Sequence, residues 1–210
     1  MLISDQNGNI EAKRFVVGSL DTNCFVVYEL EEKKGILIDP GAFLPEIKDF
    51  IDKEKIEILY TVNTHGHTDH IGANAKFAFP VLIHELDEKC LTDSMANLSY
   101  LNGVEIPPVS AVRLLHDKDK IKLNNIEFEV IHTPGHSPGS ISIKYNDLIF
   151  SGDTLFFEGV GRTDLPGGDY GQIVSSIREK LFRYPDHYKV FPGHGEDTTI
   201  GYEKEHNPFI

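Results

Sequence analysis

Residues 64 to 70 read Thr-His-Gly-His-Thr-Asp-His, which sets three imidazoles and a carboxylate, His65, His67, Asp69 and His70, within six positions. Neutral imidazole nitrogen and carboxylate oxygen are the donors that zinc and related transition metals take. A lone histidine is more often a surface residue or a hydrogen-bonded core residue than a ligand. Four donor residues this close together reverse that balance, and the stretch reads as a metal site.

Three further candidates share one context. His136, Asp153 and His194 each follow a short apolar run and a small-residue break, in Thr-Pro-Gly-His, Phe-Ser-Gly-Asp and Phe-Pro-Gly-His. Glycine lets the backbone turn sharply, so that the next side chain points back over the strand end. Four strand ends built this way can aim their donors at one point. The other histidines, His84, His116, His132, His187 and His206, lack the context and read as structural. His84 and His132, at strand ends, are candidates to support ligands from behind.

The elements that position these residues follow from hydrophobic spacing. Phe15–Gly18, Cys24–Leu30 and Gly35–Asp39 read as strands. Phe43–Lys53 has helical spacing, with Phe43, Ile47, Phe50 and Ile51 on one side. Ile56–Val62 is a buried strand feeding the histidine motif, and a helix is expected from about Ile71 to Phe79. The donors then sit where a strand ends and a helix begins, as sites in α/β folds do. Val81–His84 is a strand, and Leu86–Asn102 is mixed.

In the second half, Ala111–Leu115, Lys120–Leu123 and Ile126–Thr133 are strand-like. Ser140–Tyr145 and Leu148–Ser151 form a hairpin around Asn146-Asp147. A glycine-rich loop runs from Thr154 to Asp169, Tyr170–Phe182 is an amphipathic helix, and Lys189–Phe191 is a last strand. Strands and helices in one half echo those in the other. The expectation is an α/β fold of two mixed sheets packed face to face with helices outside, as one domain over residues 1–210.

Composition narrows the function. A chain of 210 residues buries roughly 70% of its unfolded surface, enough for a substantial core. A net charge of -13 speaks against nucleic acid, whose phosphates need a basic face. Cys24 and Cys90 form no CxxC pair and imply no disulfide framework. Met1–Glu11 is polar and lacks the pattern of a secretory signal, and no apolar run reaches the roughly 18 residues of a membrane span. A cytoplasmic protein without a membrane partner is expected.

At these residues the chain resembles the metallo-β-lactamase superfamily, through His65-x-His67-x-Asp69-His70 and the later His136, Asp153 and His194. The resemblance implies an αββα four-layer sandwich with a dinuclear site at one edge. One metal would take His65, His67 and His136. The other would take Asp69, His70 and His194, and Asp153 would bridge them. Within the superfamily the chain is similar to glyoxalase II-like hydroxyacylglutathione hydrolases, in Phe150-Ser-Gly-Asp-Thr-Leu-Phe156, Gly161-Arg-Thr-Asp-Leu-Pro-Gly-Gly168 and Gly193–Pro208. The sequence ends at Ile210, so the C-terminal helical domain of the long members, which supplies part of their glutathione site, is not expected.

The implied function is hydrolysis of a small thioester such as S-D-lactoylglutathione. Two divalent ions, zinc for preference and iron or manganese by the same donors, would share a hydroxide as the nucleophile. Asp69 would act beside its ligand role by orienting that hydroxide. Two such ions, two carboxylates and a hydroxide leave a positive pocket, which favours an anionic small-molecule substrate. The Thr154–Asp169 loop, with Phe156, Phe157 and Arg162, is a candidate substrate wall, and packing or a structural ion pair explains the same residues as well. The alternative the resemblance offers is a mononuclear iron persulfide dioxygenase using His65, His136 and Asp153.

Overall fold

The computed structural model describes residues 2–210. Seven strands build the first sheet in chain order: β1 (Leu2–Ser4), β2 (Ile10–Val17), β3 (Thr22–Glu29), β4 (Lys34–Ile38), β5 (Glu57–Val62), β6 (Val81–His84) and β7 (Ala111–Leu115). The pairings β1 to β4 are antiparallel, and those from β4 to β7 are parallel. The second sheet holds β8 (Lys120–Leu123), β9 (Ile126–His132), β10 (Ile141–Tyr145), β11 (Leu148–Gly152), β14 (Lys189–Pro192) and β15 (Thr198–Thr199). It is antiparallel except where β11 lies parallel to β14. Both sheets are thus mixed.

Alternation along the strands explains the layers. In β3, Phe25 and Val27 face one core while Cys24, Val26 and Tyr28 face another, because successive side chains of a strand leave on opposite faces. The inner core joins the sheets: Phe25, Ile36, Ile38 and Val62 from the first meet Phe128, Val130, Ile143 and Phe150 from the second. Burying each such side chain contributes about 1.5–3 kcal/mol. Outside the first sheet lies α1 (Pro45–Glu54), which buries Ile47 and Ile51. Outside the second lie α4 (Tyr170–Ser176) and α5 (Ile200–His206), with Ile173, Ile177, Leu181 and Ile200 packed on Ile149 and Val190. The order helix, sheet, sheet, helix is the αββα arrangement that the sequence leads one to expect.

Some boundaries differ. Strand β2 begins at Ile10 rather than Phe15, with Ile10 and Ala12 buried between polar neighbours. The helix α1 begins at Pro45, whose fixed φ suits the first helical position, and Phe43 packs instead on Phe77 with ring centroids 5.1 Å apart. The helix expected over 71–79 is two single turns, α2 (Thr68–Ile71) and α3 (Asn74–Phe77). They separate because Ala73 N–H donates to Pro40 O at 2.8 Å instead of continuing the helical ladder. Asp69 and His70 therefore lie on a helical turn rather than before one. The 154–169 loop contains a small hairpin, β12 (Leu155–Phe156) with β13 (Gly159–Val160). The amphipathic helix expected over 170–182 continues past α4 as a π-helical turn, Ile177–Leu181. Among the described residues no helix is long and apolar enough to cross a membrane.

Asp169 caps α4, accepting from Gln172 N–H at 2.9 Å. Asp169→Ala should lower stability by about 1 kcal/mol, read as a shift of the urea midpoint at unchanged slope.

Candidate metal centre

The parallel strands end where the two sheets meet, and their ends carry the donors. His65 follows β5, Asp153 follows β11 and His194 follows β14, while His136 leaves β9. The β11–β14 register shifts between Phe150 and Gly152, a local irregularity that re-aims the strand end toward Asp153. The three glycines before His136, Asp153 and His194 do not act alike. Gly135 and Gly152 combine positive φ, +136° and +51°, with close packing, whereas Gly193 is required by space alone. A Cβ there would stand 2.2 Å from Asp153 Oδ1.

All seven residues expected as donors come together. The donor atoms of His65, His67 and His136 lie within 4.8 Å of one another, and so do those of Asp69, His70 and His194. Asp153 lies between the groups. Its Oδ1 is 3.4 Å from His70 Nε2, and its Oδ2 is 3.5 Å from His136 Nε2 and 3.6 Å from His194 Nε2. His136 Nε2 stands 2.9 Å from His67 Nδ1 and 3.2 Å from His65 Nε2. His194 Nε2 stands 3.3 Å from His70 Nε2 and 3.2 Å from Asp69 Oδ2.

The outward nitrogens fix which atom faces inward. His136 Nδ1 donates to Arg162 O at 2.7 Å, and His194 Nδ1 donates to Leu20 O at 2.9 Å. His70 Nδ1 donates to Asp39 Oδ2 at 2.9 Å. His65 Nδ1 lies 3.2 Å from Thr64 Oγ1, whose own hydroxyl donates to Asp39 Oδ2 at 2.6 Å. A ring that donates from Nδ1 keeps its lone pair on Nε2. Four imidazoles thus present Nε2 inward, and His67 presents Nδ1.

Electrostatics divides the donors. Burial, reinforced by the neighbouring imidazoles, pushes His65 well below its ordinary range and His67 to about 3, so both are neutral and ready to bind a cation. Burial also disfavours a charged His70, yet the carboxylates of Asp153, Asp69 and Asp39 outweigh it and raise the group to about 10, so a metal binding there would displace a proton from Nε2. For Asp69, burial works upward, but His70 and His194 hold it well below the usual carboxylate range. Two carboxylates in a buried pocket therefore demand positive charge. Asp153 Oδ1 makes the same point: it is buried, and no hydrogen-bond donor among the described residues satisfies it. A donor set of imidazoles and carboxylates around an unsatisfied buried oxygen fits divalent metal.

The donors floor a cleft of about 470 Å³. Leu20, Leu98, Leu101, Phe156, Val160 and Leu165 form its walls. Arg162, the one basic residue among its described lining residues, is exposed and pairs with Asp164 through two bonds of 2.9 and 2.8 Å. Of the residues expected on the 154–169 wall, Phe156 and Arg162 face the cleft. Phe157 instead stacks on Tyr202, ring centroids 5.2 Å apart. His84 and His132 stack on each other at 4.1 Å, and neither hydrogen-bonds a donor side chain among the described residues. The residues that orient the donors from behind, Asp39 and Thr64, carried no spacing signal. A second cleft of about 450 Å³, between β1 and β15, contains none of the donors.

Fold and site together define a metal-dependent hydrolase built on two facing sheets. The chain belongs to the metallo-beta-lactamase superfamily, whose family model matches residues 17–194. It is 36% identical to the probable metallo-hydrolase YqgX of Bacillus subtilis over 205 residues, covering 94% of this chain and 96% of the relative. It is 37% identical to the hydroxyacylglutathione hydrolase GloC of Haemophilus influenzae, covering 92% and 95%. Among solved structures, the BLEG-1 B3 metallo-beta-lactamase superposes with a TM-score of 0.87 at 37% identity, covering 94% of this chain and 98% of that one.

Proposed function

We propose that the protein hydrolyses a small thioester, with S-acylglutathiones such as S-D-lactoylglutathione as its substrate class, using two divalent metal ions. The observation that carries the two-ion reading is the pair of donor groups with Asp153 between them. The similarity to GloC supports the thioester. His65, His67 and His136 would hold one ion, Asp69, His70 and His194 the other, and Asp153 would touch both. When bound, the ions lower the pKa of water and polarise the substrate carbonyl. Zinc suits this donor set, and iron and manganese are also accepted by it.

The chain's own contribution is orientation. The Nδ1–H bonds of His65, His70, His136 and His194 hold the inward lone pairs in place. Asp69 lines the cleft floor, where its carboxylate can accept a hydrogen bond from the attacking water and orient it. Thr22 Oγ1, 3.4 Å away, donates to Asp69 Oδ2. A thiolate leaves readily, so the cleft needs no strong general acid. The apolar walls shelter the reacting carbonyl from bulk water, and Arg162 is placed to meet a substrate carboxylate at the rim. The mononuclear alternative would leave Asp69, His70 and His194 without a task.

The metal-loaded protein is expected to hydrolyse S-D-lactoylglutathione, with turnover lost on chelation and restored by added zinc or iron. Fully loaded protein that releases no thiol from this or other small thioesters would overturn the reading.

A further inference from the structure

Asp87 lies behind the three-imidazole group rather than in it. It sits in a 3-10 segment, Glu85–Leu91, and is 1% exposed. Its Oδ2 accepts from Gly66 N–H at 2.9 Å and from Ser137 Oγ–H at 2.7 Å. Its Oδ1 accepts from Gly139 N–H at 2.8 Å. Gly66 separates His65 from His67, and Ser137 follows His136. One loop leaves β5 in the first sheet, and the other leaves β9 in the second. A single carboxylate thus fastens together the two loops that carry His65, His67 and His136.

The fit is close on both sides. A Cβ on Gly139 would stand 2.5 Å from Asp87 Cγ, and one on Gly66 would stand 2.3 Å from Cys90 Cβ. Both loops therefore lie flat against the 3-10 segment. A buried carboxylate is costly unless its oxygens accept enough hydrogen bonds, and charge-assisted bonds are about twice as strong as neutral ones. Three such bonds satisfy Asp87 and hold the loop spacing stiffly. The other donor group is held differently: His70 rests on Asp39, and His194 rests on Leu20 O.

We propose that Asp87 is a positioning residue that sets the spacing of the His65, His67 and His136 donors, and so controls occupancy of one metal position selectively. This rests on the two-ion reading above. A merely structural clasp would weaken both positions together, in step with stability.

The test is to reconstitute wild type, Asp87→Ala, Asp87→Asn and Ser137→Ala with zinc. Ions per chain are then counted by elemental analysis, and affinity is measured by competition with a chromophoric chelator. The folded state is checked by circular dichroism and urea unfolding. Wild type should hold two ions. Asp87→Ala should keep one at wild-type affinity and bind the other about 10–100-fold more weakly, the range seen when groups supporting a ligand are removed. Asp87→Asn and Ser137→Ala should weaken the same ion less, and they decide the matter if Asp87→Ala does not fold. Two ions at wild-type affinity in the variants, or parallel loss of both, would overturn the proposal. A wild-type chain holding a single ion would overturn the two-ion reading and the selectivity with it. Hydrolysis is not needed for any of these readouts, so failure of the thioester assignment would show separately.

Discussion

His67→Ala is expected to reduce kcat/KM by about a thousandfold or more, roughly 4 kcal/mol of transition-state stabilisation, and to empty one metal position. His67 is the one imidazole of the five that presents Nδ1 inward, 2.9 Å from His136 Nε2. Burial holds it neutral, with a pKa of about 3, so its lone pair is available across the working pH range. It reaches the site from the extended residue just before α2. Removing the ring leaves His65 and His136 with only the shared Asp153 carboxylate beside them, one donor fewer than that position has in the wild type. Steady-state kinetics and metal analysis of the same preparation check this. A variant with wild-type turnover and metal content would remove His67 from the donor set. His67→Ala also separates two effects, since it deletes a donor while Asp87→Ala only frees the loops that carry donors.

The legible part of this site is the part encoded locally. His65, His67, Asp69 and His70 are recognisable because four donors crowd into one strand-to-helix junction. His136, Asp153 and His194 are recognisable because each stands just past an apolar strand and a glycine. What brings them together is long-range and has no local signature. Ile141 N–H donates to Thr64 O across the sheets at 2.8 Å, and Asn23 N–H donates to Gly193 O at 2.7 Å. In the sequence, Ile141 is only a residue near the start of an expected strand, and Asn23 only the residue before one.

Alternation was strong enough to place two sheets and their outer helices. It failed where a tertiary bond outcompetes local preference, as where Pro40 O takes Ala73 N–H and splits the expected helix. The cleft walls illustrate the same limit. Leu98 and Leu101 come from the start and the inside of a single 3-10 turn, Ser99–Asn102, and Leu20 comes from a turn before β3. An isolated leucine in a loop carries no sequence pattern. Asp39 and Asp87 are single acidic residues whose roles depend on loops remote in the chain.

Asp39 carries the other large effect. Its carboxylate is 1% exposed and accepts from Thr64 N–H at 2.8 Å, Thr64 Oγ–H at 2.6 Å and His70 Nδ1–H at 2.9 Å. Through Thr64 it also reaches His65 Nδ1. One residue therefore orients an imidazole of each donor group. Asp39→Ala strands these donors in a dry interior and should cost about 3–5 kcal/mol of stability, as loss of one partner of a buried pair does. Asp39→Asn is the sharper probe. The amide keeps the volume and can still accept through Oδ1, so the stability loss should be smaller. Its NH₂ can accept from neither His70 Nδ1–H nor Thr64 Oγ–H, so each must yield its proton or leave it facing the amide. If His70 yields, its remaining proton prefers Nε2, the atom that faces the centre, and metal binding must return that proton to Nδ1 against an amide that cannot accept it. Zinc affinity at the Asp69–His70–His194 group should then fall about 10–100-fold while the urea midpoint moves little. Urea unfolding of the metal-free protein and chelator competition on the loaded protein separate the two effects. If stability and affinity fell together in Asp39→Asn, Asp39 would be a buried anchor of the fold, and the orientation of His70 would have to come from elsewhere.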